Sequence, residues 1–202
     1  MAYDFVIKQG KTFSRVLRWE APPIVYKPIT GISQSAPVSI TSTAHGVPSG
    51  WRVAIVSVKG MTDINAANSP PKAKDYNKAS AVDGDTIILN NVNSTDFKAY
   101  TTGGYIQYNT PVNMDGYVAR MKIKDKIGGT VLLSTEVADT PLDLLTVSID
   151  NSTKTITMTI PASATEDITW KKGVYDLEMV SGSGVVTELI SGSVTVTREV
   201  TT

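Results

Sequence analysis

The amino-acid sequence predicts an all-β fold, an antiparallel sandwich with a small β module inserted into it. Three observations carry this expectation. Apolar and polar residues alternate with period two, turn residues interrupt the alternation every ~8–12 residues, and no helical period runs long enough to stand alone. Over residues 116–124 the odd positions Tyr117, Ala119, Met121 and Ile123 are apolar, while Arg120, Lys122 and Lys124 point the other way. Ile156, Met158 and Ile160 repeat the pattern between threonines. Tyr175, Leu177 and Met179 alternate with Asp176 and Glu178, and Val194 and Val196 alternate with Thr195 and Thr197. Successive side chains of a strand face opposite sides, so each run offers one apolar face to a core. Gly128-Gly129, Asp150-Asn151-Ser152, Ser181-Gly182-Ser183-Gly184 and Ser191-Gly192 are the predicted turns. Only residues 161–167, behind Pro161, and residues 139–145 have the composition of a short helical turn.

The middle of the chain has a looser texture. Ser-, Asn- and Ala-rich stretches and Ser69-Pro70-Pro71 separate strands predicted over residues 38–42, 51–58 and 86–89. Ala21-Pro22-Pro23 and Lys27-Pro28 precede this region, and Thr110-Pro111 follows it. Proline lacks the N–H that a ladder needs, so these sites read as junctions. The expected organisation is an outer β-sandwich of residues 1–28 and 110–202, discontinuous in sequence, with residues 29–109 as an inserted small β module. Such insertions succeed where entry and exit lie close together.

Composition narrows the function classes. Nineteen basic side chains balance nineteen acidic ones in 202 residues, so no bulk attraction draws the chain to nucleic acid or an anionic membrane. Arg120, Lys122, Lys124 and Lys126 read as the solvated face of a strand. Hydrophobic residues at 41% suffice for a core without staples. The absence of cysteine removes thiol catalysis, thiolate zinc sites and disulfides. The opening residues lack the basic region and apolar core of a signal peptide, and no apolar stretch is long enough to span a bilayer. Synthesis in the cytoplasm, with export only inside a larger assembly, is the expectation.

No catalytic centre is predicted. His45 is the only histidine, so a His-based zinc site is out of reach, and its Gly/Pro-rich surroundings read as a turn. Asp83-Gly84-Asp85 is turn composition without EF-hand spacing. Asp96, Glu166 and Asp167 have no marked partner. Gly103-Gly104 and Gly182-Ser183-Gly184 lead into no helix and precede no Gly-Lys-Ser/Thr, so they are not phosphate loops. Trp19, Trp51 and Trp170 sit at strands or their flanks, where core packing is the commoner role. No metal and no cofactor is expected.

Two stretches carry a resemblance. Phe5-Val6-Ile7-Lys8-Gln9-Gly10-Lys11-Thr12-Phe13 resembles the first hairpin of many tailed-phage virion proteins, where the second strand ends in Trp, here Trp19. Residues 115–121, 173–179, 184–187 and 192–196 are similar to the later strands of the same family. That family has an immunoglobulin-like β-sandwich and includes tail, baseplate and other virion-associated proteins. The insert, through residues 40–47, 56–65 and 97–104, resembles a small β-barrel module common in phage proteins. That module is named for the first catalytic-cysteine half-domain of ubiquitin-activating enzymes. Without cysteine or an adenylating loop, the resemblance implies a fold and not that activity.

The resemblances imply a virion structural protein at the tail, baseplate or neck, a homo-oligomeric adaptor contacting other virion proteins. Capsid decoration is a neighbouring option. The alternative from another class is a receptor- or carbohydrate-binding module that reads a host surface glycan. In that case Trp51, Tyr76, Tyr100 and Tyr105 would supply stacking faces.

Overall fold

Alternating apolar positions become strands because each such strand can bury one face while its backbone groups pair along the ladder. The computed structural model describes residues 3–136 and 144–199. In chain order the first strands are β1 (Phe5–Lys8), β2 (Phe13–Leu17), β3 (Glu20–Pro28), β4 (Gly31–Ile32) and β5 (Val38–Thr41). Then come β6 (Arg52–Lys59), β7 (Asn77–Ala81), β8 (Thr86–Leu89), β9 (Thr102–Pro111) and β10 (Val118–Lys124). The last are β11 (Val131–Ser134), β12 (Thr146–Asp150), β13 (Thr155–Ile160), β14 (Lys172–Val180) and β15 (Val186–Thr197). One short helix, α1 (Ala162–Glu166), follows Pro161, where a helical turn was expected. The other expected turn, residues 139–145, lies largely outside the described residues.

The chain is all-β and divides into two compact units, Met1–Trp19 with Asn113–Thr202, and Glu20–Val112. The first is a sandwich. A five-stranded sheet of order β1-β15-β14-β10-β11 faces a three-stranded sheet of order β12-β13-β2. Met121, Ile123, Tyr175, Leu177, Met179, Ile156, Met158, Ile160 and Val194 fill the core between them, the phase of each run that the alternation assigns inward. Phe5 stacks on Phe13 with ring centroids 4.7 Å apart and leans on Tyr175 at the same distance.

Two details depart from the sequence reading. Phe5–Lys8 and Phe13–Leu17 do not form a hairpin. β1 pairs in parallel with β15, while β2 pairs antiparallel with β13 in the opposite sheet. The Gln9-Gly10 turn therefore carries the chain from one layer to the other, and Phe5 and Phe13 meet across the core instead of along a ladder. Ser191-Gly192 is not a turn either, for both residues lie inside β15. A Cβ on Gly192 would stand 2.5 Å from the Tyr3 carbonyl oxygen, so glycine serves close backbone approach there. The Tyr3 N–H donates to the Ser191 carbonyl at 2.8 Å, and the Tyr175 hydroxyl donates to the Tyr3 carbonyl at 2.5 Å.

The second unit is a single seven-stranded sheet of order β3-β9-β6-β7-β8-β5-β4, curled as a half-barrel around its own core. That core holds Trp51, Val53, Ile55, Ile40, Ile87, Leu89 and Ile106. The expected joins at Lys27-Pro28 and Thr110-Pro111 lie inside paired strands, and the units divide instead at Trp19/Glu20 and Val112/Asn113. Prolines did not interrupt β3 because Pro22 and Pro23 occupy the register shift between Ala21 and Ile24 on an edge strand, where no ladder N–H is required.

Glu20 stands opposite Pro111 in the β3–β9 ladder, so this unit begins and ends at one place. In the other unit Trp19 and Tyr117 touch edge-to-face at 5.3 Å, holding the two cut ends together. Replacing Glu20–Val112 by a short Gly/Ser linker is therefore expected to leave a folded sandwich, since closure cost depends weakly on loop length. A β-type circular dichroism spectrum with a cooperative melt is the expected result. Aggregation at every linker length would show one inseparable folding unit.

Candidate interaction surfaces

The outward phase of the five-stranded sheet is organised by register. Val118 lies opposite Val180 and Val180 opposite Val186, so three valines form one cross-strand row. Arg120, Glu178 and Glu188 form the next row, and Lys122, Asp176 and Ser191 the third. Cations thus occupy β10 and carboxylates occupy β14 and β15. Val118 is 65% exposed, and Val185 and Val186 are exposed beside it. Ile127, at the tip of the β10–β11 hairpin, is also exposed. The two charged rows, without the valines, line an open cleft of about 830 Å³ together with Ile127, Gly128 and Glu136.

Charges on this face are partly satisfied. Arg120 Nε donates to Glu178 Oε2 at 2.6 Å, and Lys122 Nζ reaches Glu136 Oε2 at 2.5 Å. The Ser191 hydroxyl donates to Glu188 Oε1 at 2.9 Å. Partial burial, followed by the nearby charges of Glu178 and Glu188, pushes the Asp176 carboxyl above the ordinary aspartate range. Glu178 also raises the Arg120 pKa, holding the guanidinium more firmly protonated through their hydrogen bond.

The second unit exposes aromatic surface on β3 and β9. Tyr26 is 53% and Tyr105 44% exposed, and their rings meet edge-to-face with centroids 6.3 Å apart. Ile24, two residues before Tyr26 and on the same face of β3, is exposed as well.

The four aromatic residues predicted as stacking faces do not share a surface. Trp51 is fully buried, and its indole Nε1 donates to the Asn109 carbonyl at 3.1 Å, so it is a core residue and offers no face to a glycan. Core packing, the commoner role for a tryptophan at a predicted strand, is the one the structure gives it. Tyr100 is half-buried, its hydroxyl within hydrogen-bonding distance of the Ile29 and Gly103 carbonyls at 2.9 and 3.1 Å. Tyr76 is half-buried, its hydroxyl accepting from Gln107 Nε2 at 3.0 Å. Of the four, Tyr105 alone is exposed, and its neighbour is Tyr26, which the proline-rich context of β3 concealed.

Polar groups weighed for chemistry have local structural partners. His45 is buried, with Nδ1 accepting from the Val47 N–H at 2.9 Å and Nε2 facing the Asp83 carbonyl at 3.0 Å. Asp85 accepts from the Ala44 N–H and Asp83 from the Asp85 N–H, at 2.7 and 2.8 Å. These contacts tie the His45 loop to the β7–β8 turn. Gly104 takes a positive φ inside β9, and a Cβ there would stand 2.4 Å from a Val58 methyl, so this glycine permits strand packing. Among the described residues no group of three or more His, Asp or Glu is arranged to hold a metal ion, and no helix is long and apolar enough to cross a membrane.

The valine row had a legible signal. Val118 and Val180 sit on the polar phase of their alternating runs, where apolar residues are out of pattern. The pairing of a cationic strand with an anionic one had none, because strand order is not written in any single run. Comparison with protein-family models and with curated proteins finds no match.

Proposed function

We propose that this chain is a non-enzymatic structural protein of a tailed-phage particle, a tail, baseplate or neck adaptor that works by protein–protein packing. The observation that carries the reading is the outer face of the five-stranded sheet, where a valine row with Val118 and Val186 exposed borders ordered columns of opposite charge. Apolar rows rimmed by charge mark contact surfaces, since burying them removes apolar area from water while the rim sets the register. The resemblance of residues 5–13, 115–121, 173–179, 184–187 and 192–196 to virion proteins supplies the setting. In this reading the sandwich contributes one contact face and the curled seven-stranded unit, with Tyr26 and Tyr105, a second.

The test is mass spectrometry of purified particles from the phage that encodes the chain. The polypeptide is expected among the stoichiometric virion proteins. Its absence from particles, with abundance in the infected-cell lysate, would overturn the proposal.

A further inference from the structure

Cross-strand register puts a positive column on β10 directly beside a negative column on β14, at the ~4.8 Å spacing of paired strands. The columns run Val118, Arg120, Lys122 and Val180, Glu178, Asp176, row against row. Contacts within the chain leave part of this pattern unused. Arg120 takes Glu178 and Lys122 takes Glu136, while Asp176 is exposed on the outward face of β14 with Glu178 two residues along. Val118 and Val186 remain exposed on either side of the half-buried Val180.

We infer that this face is the contact between two copies of the chain, packed face to face about a twofold axis running along the strands between β10 and β14. This operation keeps each row at its own height and exchanges the two columns. Arg120 of the partner subunit then lies over Glu178, Lys122 of the partner subunit over Asp176, and Val118 of the partner subunit over Val180, each contact made twice. A twofold across the strands would instead lay β10 on β10 and oppose cations to cations. Sheets packed face to face keep their strands within about 30° of each other, which the first axis permits. Five strands at ~4.8 Å and seven residues at ~3.4 Å give a plane of roughly 500–600 Å², below the ~800 Å² per partner of a standard interface. The dimer is therefore weak alone and suited to reinforcement by further contacts.

One contact is unfavourable. β15 falls over the partner's β11, so Glu188 approaches the partner's Glu136. Removing the Glu188 charge accordingly strengthens association, an effect opposite to that of the charge changes on β10 and β14.

The inference rests on the proposed assembly role only in that the chain meets its own copies. It is tested on purified protein, so it and the virion role can fail separately. Sedimentation velocity of the full chain, from micromolar to millimolar at low salt where charge is least screened, is expected to show a monomer–dimer equilibrium. Val118→Lys should abolish it, and Glu188→Gln should tighten it. Arg120→Glu with Lys122→Glu should weaken it at least about tenfold, as should Asp176→Lys with Glu178→Lys, because each lost contact counts twice. An equal mixture of these two double variants should dimerise again, since the exchanged columns are complementary. A wild-type monomer at millimolar concentration would overturn the inference, and so would a dimer that Val118→Lys leaves intact. Val118 is exposed, so that variant decides the matter even where the charge variants fold poorly.

Discussion

Trp51→Ala is expected to destabilise the second unit by about 3–5 kcal/mol, among the largest losses any single substitution in this chain should cause. The side chain is fully buried among Val53, Ile106 and the other residues of the seven-stranded unit's core. Its removal forfeits the transfer free energy of an indole and leaves a cavity that the packed core relaxes into only partly. It also leaves the Asn109 carbonyl without the N–H that it accepts at 3.1 Å. Trp51→Phe keeps most of the apolar area and loses the N–H, so a smaller loss is expected. Denaturant melts of the three proteins, followed by circular dichroism, check the order. An unchanged midpoint for Trp51→Ala would place the indole outside the core. Because this substitution acts through folding, a carbohydrate-binding assay is informative at Tyr26 and Tyr105, whose rings are exposed, and not at Trp51.

Leu177→Ala should cost about 2–5 kcal/mol in the sandwich unit. Leu177 is fully buried on β14, the central strand of the five-stranded sheet, with β10 on one flank and β15 on the other. It lies opposite Met121 across one ladder and Ile190 across the other, and Tyr175 and Met179 share its inward face. A central strand has no free side into which neighbours can collapse, which places the expected loss well above that of a surface change. Glu178→Ala, one residue along and on the outward face, is the control. It removes a partly exposed ion pair worth at most about 1 kcal/mol. Comparable losses at Leu177 and Glu178 would mean that the faces of β14 are reversed.

How much of this was legible in the sequence depends on the range of the physics involved. The inward residues of β10, β13 and β14 could be read directly, because strand pleating makes the alternation a local property of each run. β8 falls on residues 86–89, as expected, since Asp83-Gly84-Asp85 announces its start. β3 was hidden, because proline argues against a strand unless the strand is an edge with a bulge at that point, and edge position is a property of the whole sheet. The same reason explains the misread Ser191-Gly192 pair: local composition said turn, and only the approach of the Tyr3 backbone shows why glycine is needed within a strand.

The interaction surfaces divide along the same line. Composition and periodicity alone determined an all-β chain without thiol or His-based zinc chemistry, the inward phase of its main strands, and the solvated phase carrying Arg120, Lys122 and Lys124. Tertiary structure decided which strands became neighbours, and with them the rest. It buried Trp51, exposed Tyr26 beside Tyr105, sent β1 and β2 to opposite sheets, and set a cationic strand against an anionic one with a valine row at their end. The pattern along a strand is governed by the two-residue repeat of its own backbone. The pattern across strands is set by pairings between segments up to 189 residues apart, as Phe5 with Val194, and no local window of sequence contains both partners.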